Sequence, residues 1–282
     1  MTLRAHGAVI VAAVLFGTTF VMVKDAVADV GPVPFLAVRF LVGAAAMAPF
    51  AAREARTPGV WRAGALCGTV LLAGYVLQTV GLQYTTSSVS AFVTYLLVVM
   101  VPVISAFTLR KVPTAPTIAG VVLATVGLFL LTGQGVHLGK GELLTLGCAL
   151  SFAVHIVLLS YFAPRFGTAE LNGVQLLVVG LGCLVPGFFL GGYHFTARAW
   201  LAALYTGVAV SGAALGLQLW GQRRVGPTRT SLLLMIEPVS AAGLGYVVGD
   251  RLGVGGAIGA ALILAGIAVA ELPIATRVRA AS

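Results

Sequence analysis

Two charged side chains stand inside runs that are otherwise apolar or small: Arg39 in "FLAVRFLVGA" and Glu237 in "SLLLMIEPVSAAG". A carboxylate can take up and release a proton or accept from a polar ligand, and a guanidinium presents a planar fork that matches a carboxylate. If lipid surrounds these runs, each charge costs several kcal/mol unless it faces a cavity or a partner, or, for the carboxylate, carries a proton. Glu237 therefore reads either as a substrate- and proton-coupling group or as a structural acceptor between helices beside Pro238. Arg39 reads either as a ligand for a substrate carboxylate or as a side chain that reaches back to the membrane surface. His155, in a third apolar run, is a candidate proton-coupling group or a hydrogen-bonded buried imidazole.

Uncharged residues could complete a pocket. Tyr75 and Gln78 are three apart and share a helix face. Thr94 and Tyr95 adjoin Phe92, Phe16 and Phe20 lie one turn apart, and Trp220 follows Gln218. Apolar walls with a few placed polar groups are the usual form of a small-molecule site; ordinary packing is the alternative use of each aromatic. Other chemistry lacks its residues: the chain has no GxSxG, HExxH or GxxxxGK[ST], and its eight acids are scattered. Neither enzyme activity nor a cofactor nor a metal is expected. Cys67, Cys148 and Cys183 have no CxxC spacing and read as small buried hydrophobes.

The elements that must position these residues follow from composition. Hydrophobic residues make up 59% of the 282 and charged residues 9%, too few to cover a soluble surface. Continuous apolar blocks such as "GAVIVAAVLFGTTFVMV" suit membrane helices rather than alternating barrel strands. Ten spans are expected, at about 6–24, 34–52, 61–81, 86–109, 115–133, 141–160, 170–190, 198–220, 228–249 and 253–271. The first is read as a retained helix, not a signal peptide, because Lys24 and Asp25 precede the "AVA" that mimics a cleavage site. With the N-terminus inside, twelve basic residues fall on the cytoplasmic side, among them Arg53, Arg56, Arg110, Lys111, Arg223 and Arg224. Only Lys24, Lys140, Arg198 and Arg251 fall outside. This bias places both termini in the cytoplasm. The net charge of +9 is spread over short connectors, and no nucleic-acid surface is expected.

Internal repetition is visible at fixed spacing. Trp61, Gly68 and Gln83 recur at one common spacing as Trp200, Gly207 and Gln222, and Gly120 and Gly127 recur at that same spacing as Gly259 and Gly266. "AVRFLV" from Ala37 returns as "GVQLLV" from Gly173, and "PV" at Pro102 returns at Pro238, these two pairs sharing a slightly shorter spacing. Two five-helix repeats, 1–134 and 135–282, follow; five is odd, so they are inverted. Inverted repeats are a signature of secondary transporters with a midplane site. Pro102 and Pro238 are candidate hinges. GxxxG pairs at Gly187–Gly191, Gly212–Gly216, Gly245–Gly249 and Gly255–Gly259 offer close helix packing; the last could instead support a homodimer through the tenth helix.

"LFGTTFVMVKDAV", "GLQYTTSSVSAFVTYLLVVMVPVISAF" and above all "IEPVSAAGLGYVVGDRLGVGGAIGAALILAGIAV" resemble the EamA-type, ten-helix branch of the drug/metabolite transporter (DMT) superfamily. The resemblance covers nearly the whole chain. Asp250–Arg251 stands where that family often has Glu-Arg, and Arg110–Lys111 has no acid beside it. The resemblance implies a multi-pass carrier of the bacterial cytoplasmic (inner) membrane, often an exporter of amino acids, related metabolites or amphiphilic toxins. The expected partners are thus a small-molecule substrate and the bilayer. The leading expectation is a secondary transporter of amino acids or related metabolites, with multidrug or amphiphile efflux as the alternative, ahead of an intramembrane enzyme or a channel.

Overall fold

The computed structural model describes residues 2–54, 57–132, 139–247 and 253–270, and the regular elements of those residues are helical. Arg56, the 134/135 boundary, Gly249, the Asp250–Arg251 turn and both chain ends lie outside the described residues, as do the side chains of Phe20 and Lys24. In chain order the first helices are α1 (Thr2–Gly17), α2 (Phe20–Val30), α3 (Pro32–Ala51), α4 (Val60–Gly81), α5 (Ser87–Tyr95), α6 (Leu97–Leu109) and α7 (Ala115–Thr132). They are followed by α8 (Lys140–Phe162), α9 (Thr168–Phe189), α10 (Ala197–Tyr205), a π-helical stretch (Thr206–Ala214), α11 (Leu215–Val225), α12 (Pro227–Leu234), α13 (Ile236–Val247) and α14 (Val254–Ala270). Among the described residues seven helical stretches are long and apolar enough to cross a membrane, and Leu3–Gly17 and Val254–Ala270 are shorter apolar helices. Large apolar side chains cover the outside; Phe107, Val112 and Phe189 are each more than three-quarters exposed, as a lipid-facing surface requires.

Three of the expected spans are interrupted rather than continuous. The first divides at Thr18–Thr19, where both threonine hydroxyls donate to carbonyls three residues back, Leu15 O at 2.7 Å and Phe16 O at 2.8 Å. These bonds occupy backbone acceptors that the broken ladder releases. The fourth divides at Leu96 and the ninth at Met235, at the same spacing that separates Gly120 from Gly259. In both, the N–H turns to a carbonyl three residues back: Leu96 to Val93 at 3.3 Å, and Met235 to Leu232 at 3.0 Å. Each break is thus a tightened, 3₁₀-type turn made without glycine or proline. The expected hinge prolines do not mark these breaks. Pro102 lies six residues beyond Leu96 and Pro238 three beyond Met235, so the two do not occupy matching places. Pro238 is the third residue of α13, where a helix N–H has no internal acceptor and proline removes nothing.

Close packing, not burial from water, must join helices in lipid. α7 lies along α14, α3 along α9, α4 along α8 and α9, and α1 along α11 and α13. Glycines set the closest approaches. A Cβ on Gly127 would lie 2.6 Å from Gly259 O, and one on Gly266 would lie 2.6 Å from Gly120 O, so α7 and α14 touch backbone to backbone at two levels. Gly68 brings α4 against the backbone of Gln175 in α9, and Gly64 makes room for the Val174 side chain. Of the expected GxxxG pairs, Gly255–Gly259 packs within the chain, through Gly259 on α7, whereas Gly191 lies beyond the end of α9 at φ 124°. The turns into α3 and α12 share one device, a glycine near φ 90° (Gly31, Gly226) followed by proline at the first helical position. Trp61 and Trp200 are exposed in the first turns of α4 and α10, and all three cysteines are buried.

Candidate functional site

A cavity of about 110 Å³ lies among α1, α3, α4, α5, α8, α11 and α13, lined from both halves of the chain. Arg39, Tyr75, Gln78 and Thr94 border it, together with Tyr95, His155, Glu237 and Phe16. These are side chains that an apolar span tolerates only where something polar faces them, or aromatics one helical turn from such a residue. The cavity is otherwise walled by Leu71, Leu97, Phe152, Leu215 and Leu234.

Arg39 is held on α3 by close backbone contact with the π-helical stretch. A Cβ on Gly207 would lie 2.7 Å from Arg39 O, and one on Gly43 would lie 2.9 Å from Gly207 O. Its guanidinium lies 5.0 Å from the Tyr75 ring centroid and 5.2 Å from that of Phe40, within cation–π range. Phe40, Tyr75 and Phe152 form an edge-to-face series at 4.7 and 5.2 Å that joins α3, α4 and α8 beneath it. Arg39 Nε donates to Ser211 Oγ at 3.0 Å. The charge is 4% exposed, so the reach to the membrane surface weighed from the sequence does not occur.

Glu237 reaches the cavity from the second half of the chain. It is the second residue of α13, and α13 comes up against α1 where a Cβ on Gly17 would lie 2.8 Å from Glu237 O. Its carboxylate lies beside the Tyr95 hydroxyl and the Arg39 guanidinium beside the Tyr75 hydroxyl, with Glu237 and Arg39 near enough to act on each other electrostatically. Gln78 Nε2 donates to Thr94 Oγ1 at 3.4 Å, which ties α4 to α5.

His155 is a wall residue with a fixed partner: its Nε2 donates to Gln175 Oε1 at 2.9 Å. Gln175 Nε2 donates to Asn172 Oδ1 at 2.8 Å, and Asn172 Nδ2 reaches the carbonyls of Ser211 and Gly212 at 3.3 and 3.0 Å. The imidazole thus ends a buried amide chain.

Trp220 is absent from the lining, unlike the expectation. It follows Gln218 by two residues, about 200° around a helix, so when Gln218 faces the cavity Trp220 turns away. It is half-buried on α11 with the Arg224 guanidinium 4.9 Å from its ring. Phe152 was missed, although its three-residue spacing from His155 marks one helix face. Thr19 and Thr79 were missed too, since isolated threonines carry no pattern. Ser211 and Asn172 had no signal beyond being polar in apolar runs, whereas Gln175 was marked by its match to Arg39 between "GVQLLV" and "AVRFLV".

The sequence profile of the EamA-like transporter family matches this chain twice, over residues 3–133 and 139–271. An uncharacterized transporter from Archaeoglobus fulgidus is 29% identical over 230 residues, 81% of this chain and 73% of its own length. A second from the same organism is 28% identical over 94% of this chain and 95% of its own. The uncharacterized transporter YoaV of Bacillus subtilis is 22% identical over 90% of this chain and 91% of its own. A solved crystal structure, 23% identical, superposes with a TM-score of 0.81 over 95% of this chain and 96% of its own, which shows a shared fold. The helices, their lipid-facing surface and the double match make the chain a multi-pass membrane transporter, and it belongs to the EamA-like transporter family.

Proposed function

We propose that this protein is a secondary carrier of amino acids or related zwitterionic metabolites, working outward across a bacterial inner membrane. In this reading ten spans form two inverted repeats, 1–134 and 135–282, with both termini cytoplasmic, and the cavity between them opens alternately to each side. The paired contacts support the repeat. Gly68 abuts Gln175 and Val178, while its repeat counterpart Gly207 abuts Arg39 and Val42, which are in turn the counterparts of Gln175 and Val178. Gly127–Gly259 and Gly120–Gly266 interchange in the same way. No Walker sequence is present, so the gradient of protons or of substrate is the driving force. A homodimer in this reading uses the exposed side of α14, at Val254 and Ile258, rather than its glycine stripe.

The observation that carries the substrate class is the pair Arg39 and Glu237. Arg39 and Glu237 line one cavity, Arg39 against Ser211 and Tyr75 and Glu237 against Tyr95, rather than joined in a buried ion pair. That arrangement suits a solute with a carboxylate for Arg39 and an ammonium, or a proton, for Glu237. The second reading, an amphiphile carrier, is favoured by the aromatic and leucine walls.

The test uses purified protein in liposomes loaded with one labelled amino acid at a time. Efflux is followed with and without a pH gradient, for wild type and Glu237→Gln. At least one zwitterionic amino acid should move, and Glu237→Gln should lose the pH-driven component while exchange survives. Movement of amphiphilic cations alone would select the second reading.

A further inference from the structure

Ser211 and Asn172 touch the substrate cavity only through other residues, yet both are completely buried and hydrogen-bonded at the back of Arg39. Ser211 sits on the π-helical stretch Thr206–Ala214. A π turn shifts one residue out of the ordinary helical register, and such turns recur at functional sites. Here the shift is pinned from two directions. Gly43 and Gly207 bring α3 so close that a Cβ on Gly43 would lie 3.0 Å from Ser211 Cβ. From the other side Asn172 Nδ2 donates to Ser211 O and Gly212 O.

We propose that Ser211, presented by the π-helical turn and held there by Asn172, is a positioning residue that orients the Arg39 guanidinium for a substrate carboxylate. The geometry gives the reason. Nε has a single hydrogen, and Ser211 Oγ takes it at 3.0 Å, on the side of the guanidinium next to α3 and the π turn. Rotation about Cδ–Nε would carry that hydrogen away from Ser211 Oγ, and Nε–Cζ is held planar by conjugation, so the two terminal nitrogens are fixed as a fork on the side of the Tyr75 hydroxyl and the cavity. A carboxylate needs both of those nitrogens for a two-point contact. The same turn is linked through Asn172 and Gln175 to His155 in the α8 wall. One element therefore sets the place of Arg39 and braces the α8 wall.

This inference rests on the reading of Arg39 as the carboxylate ligand, and its test has one arm that does not. In the full chain in lipid nanodiscs, labelled with ¹⁵N at arginine, the Arg39 Nε–H resonance is assigned by its loss in Arg39→Lys. Its hydrogen exchange is then compared between wild type, Ser211→Ala and Ser211→Cys, the last keeping the side-chain volume with a weaker acceptor. Exchange should quicken at least about ten-fold in Ser211→Ala and less in Ser211→Cys, the scale of one hydrogen bond to a charged group. An unchanged Nε–H would overturn the proposal whatever is transported. In liposomes with the labelled amino acid that wild type exchanges, Ser211→Ala should raise KM about ten-fold with the maximal rate preserved, and should add nothing in an Arg39→Gln background. A fall in maximal rate at unchanged KM, or an equal effect in the Arg39→Gln background, would show that Ser211 serves the fold alone. If no amino acid moves, the substrate reading fails and the exchange measurement still decides the contact.

Discussion

Arg39 and Gln175 stand at matching places in the two halves, the third residue of "AVRFLV" and of "GVQLLV", and each rests against a glycine, Gly207 or Gly68, that also matches its counterpart. The backbone surroundings are alike; the chemistry is opposite. Arg39 carries a charge to the cavity edge and ends in nitrogens aimed at Tyr75. Gln175 has its amide oxygen on His155 and its nitrogen on Asn172, and it does not line the cavity. One half sets a charged group at the cavity beside Ser211 and Tyr75, and the other closes its polar group into a brace. In the proposed reading a repeated scaffold holds one position for binding and its twin for rigidity, with the difference made by whether the polar group is closed into a network of neutral partners.

Breaking the comparison from the binding side should have the largest effect. Arg39→Gln, which puts the second half's residue in the first, should raise KM for a carboxylate-bearing solute by roughly 10- to 100-fold, measured as exchange in liposomes, because a charge-assisted two-point contact is lost. The melting temperature in detergent should change little by comparison. From the brace side, Gln175→Leu leaves His155 and Asn172 without their partner and should lower stability by about 1–3 kcal/mol, read from thermal or denaturant unfolding. Transport per folded molecule should fall less than in Arg39→Gln. If Gln175→Leu instead abolishes transport in a fully folded protein, the division between ligand and brace is wrong.

The two glycines sharpen the comparison further. Gly68→Ala and Gly207→Ala each push a methyl to within 3 Å of a facing carbonyl, Gln175 O at 2.9 Å and Arg39 O at 2.7 Å, so both should destabilise to a similar degree, about 1–3 kcal/mol. Only Gly207→Ala should also raise KM, since it displaces the backbone that carries Arg39. The smallest effect is expected for Trp220→Phe, which lies away from the cavity: stability within about 0.5 kcal/mol of wild type, and transport kinetics within roughly two-fold.

What could be read in advance divides along physical lines. Arg39, Glu237, His155, Tyr75 and Gln78 border one cavity because a polar group in an apolar span has few places to go, and that constraint is written in the residue type itself. The breaks at Leu96 and Met235 were not legible, because neither carries the glycine or proline that marks a break; they come from a local change of hydrogen-bond partner. The prolines drew attention instead, yet Pro238 lies in a first turn where its missing donor has no consequence. Trp220 misled for a related reason: an aromatic late in an apolar helix has several uses, and only its angle around α11 separates them. Ser211 and Asn172 depend on a π turn, and a shift of one residue within a continuous apolar helix leaves no periodic trace.

The burial of Cys67, Cys148 and Cys183 makes the wild-type chain a silent background for thiol labelling. A maleimide added to membranes meets no accessible native thiol in this conformation, so a single cysteine placed at an exposed connector site such as Lys111 would be the sole reporter without any prior engineering. The converse is a built-in clock. Cys148 lies in the helix that also supplies Phe152 and His155 to the cavity, so its modification during turnover, compared with resting protein, would time how often that wall comes apart.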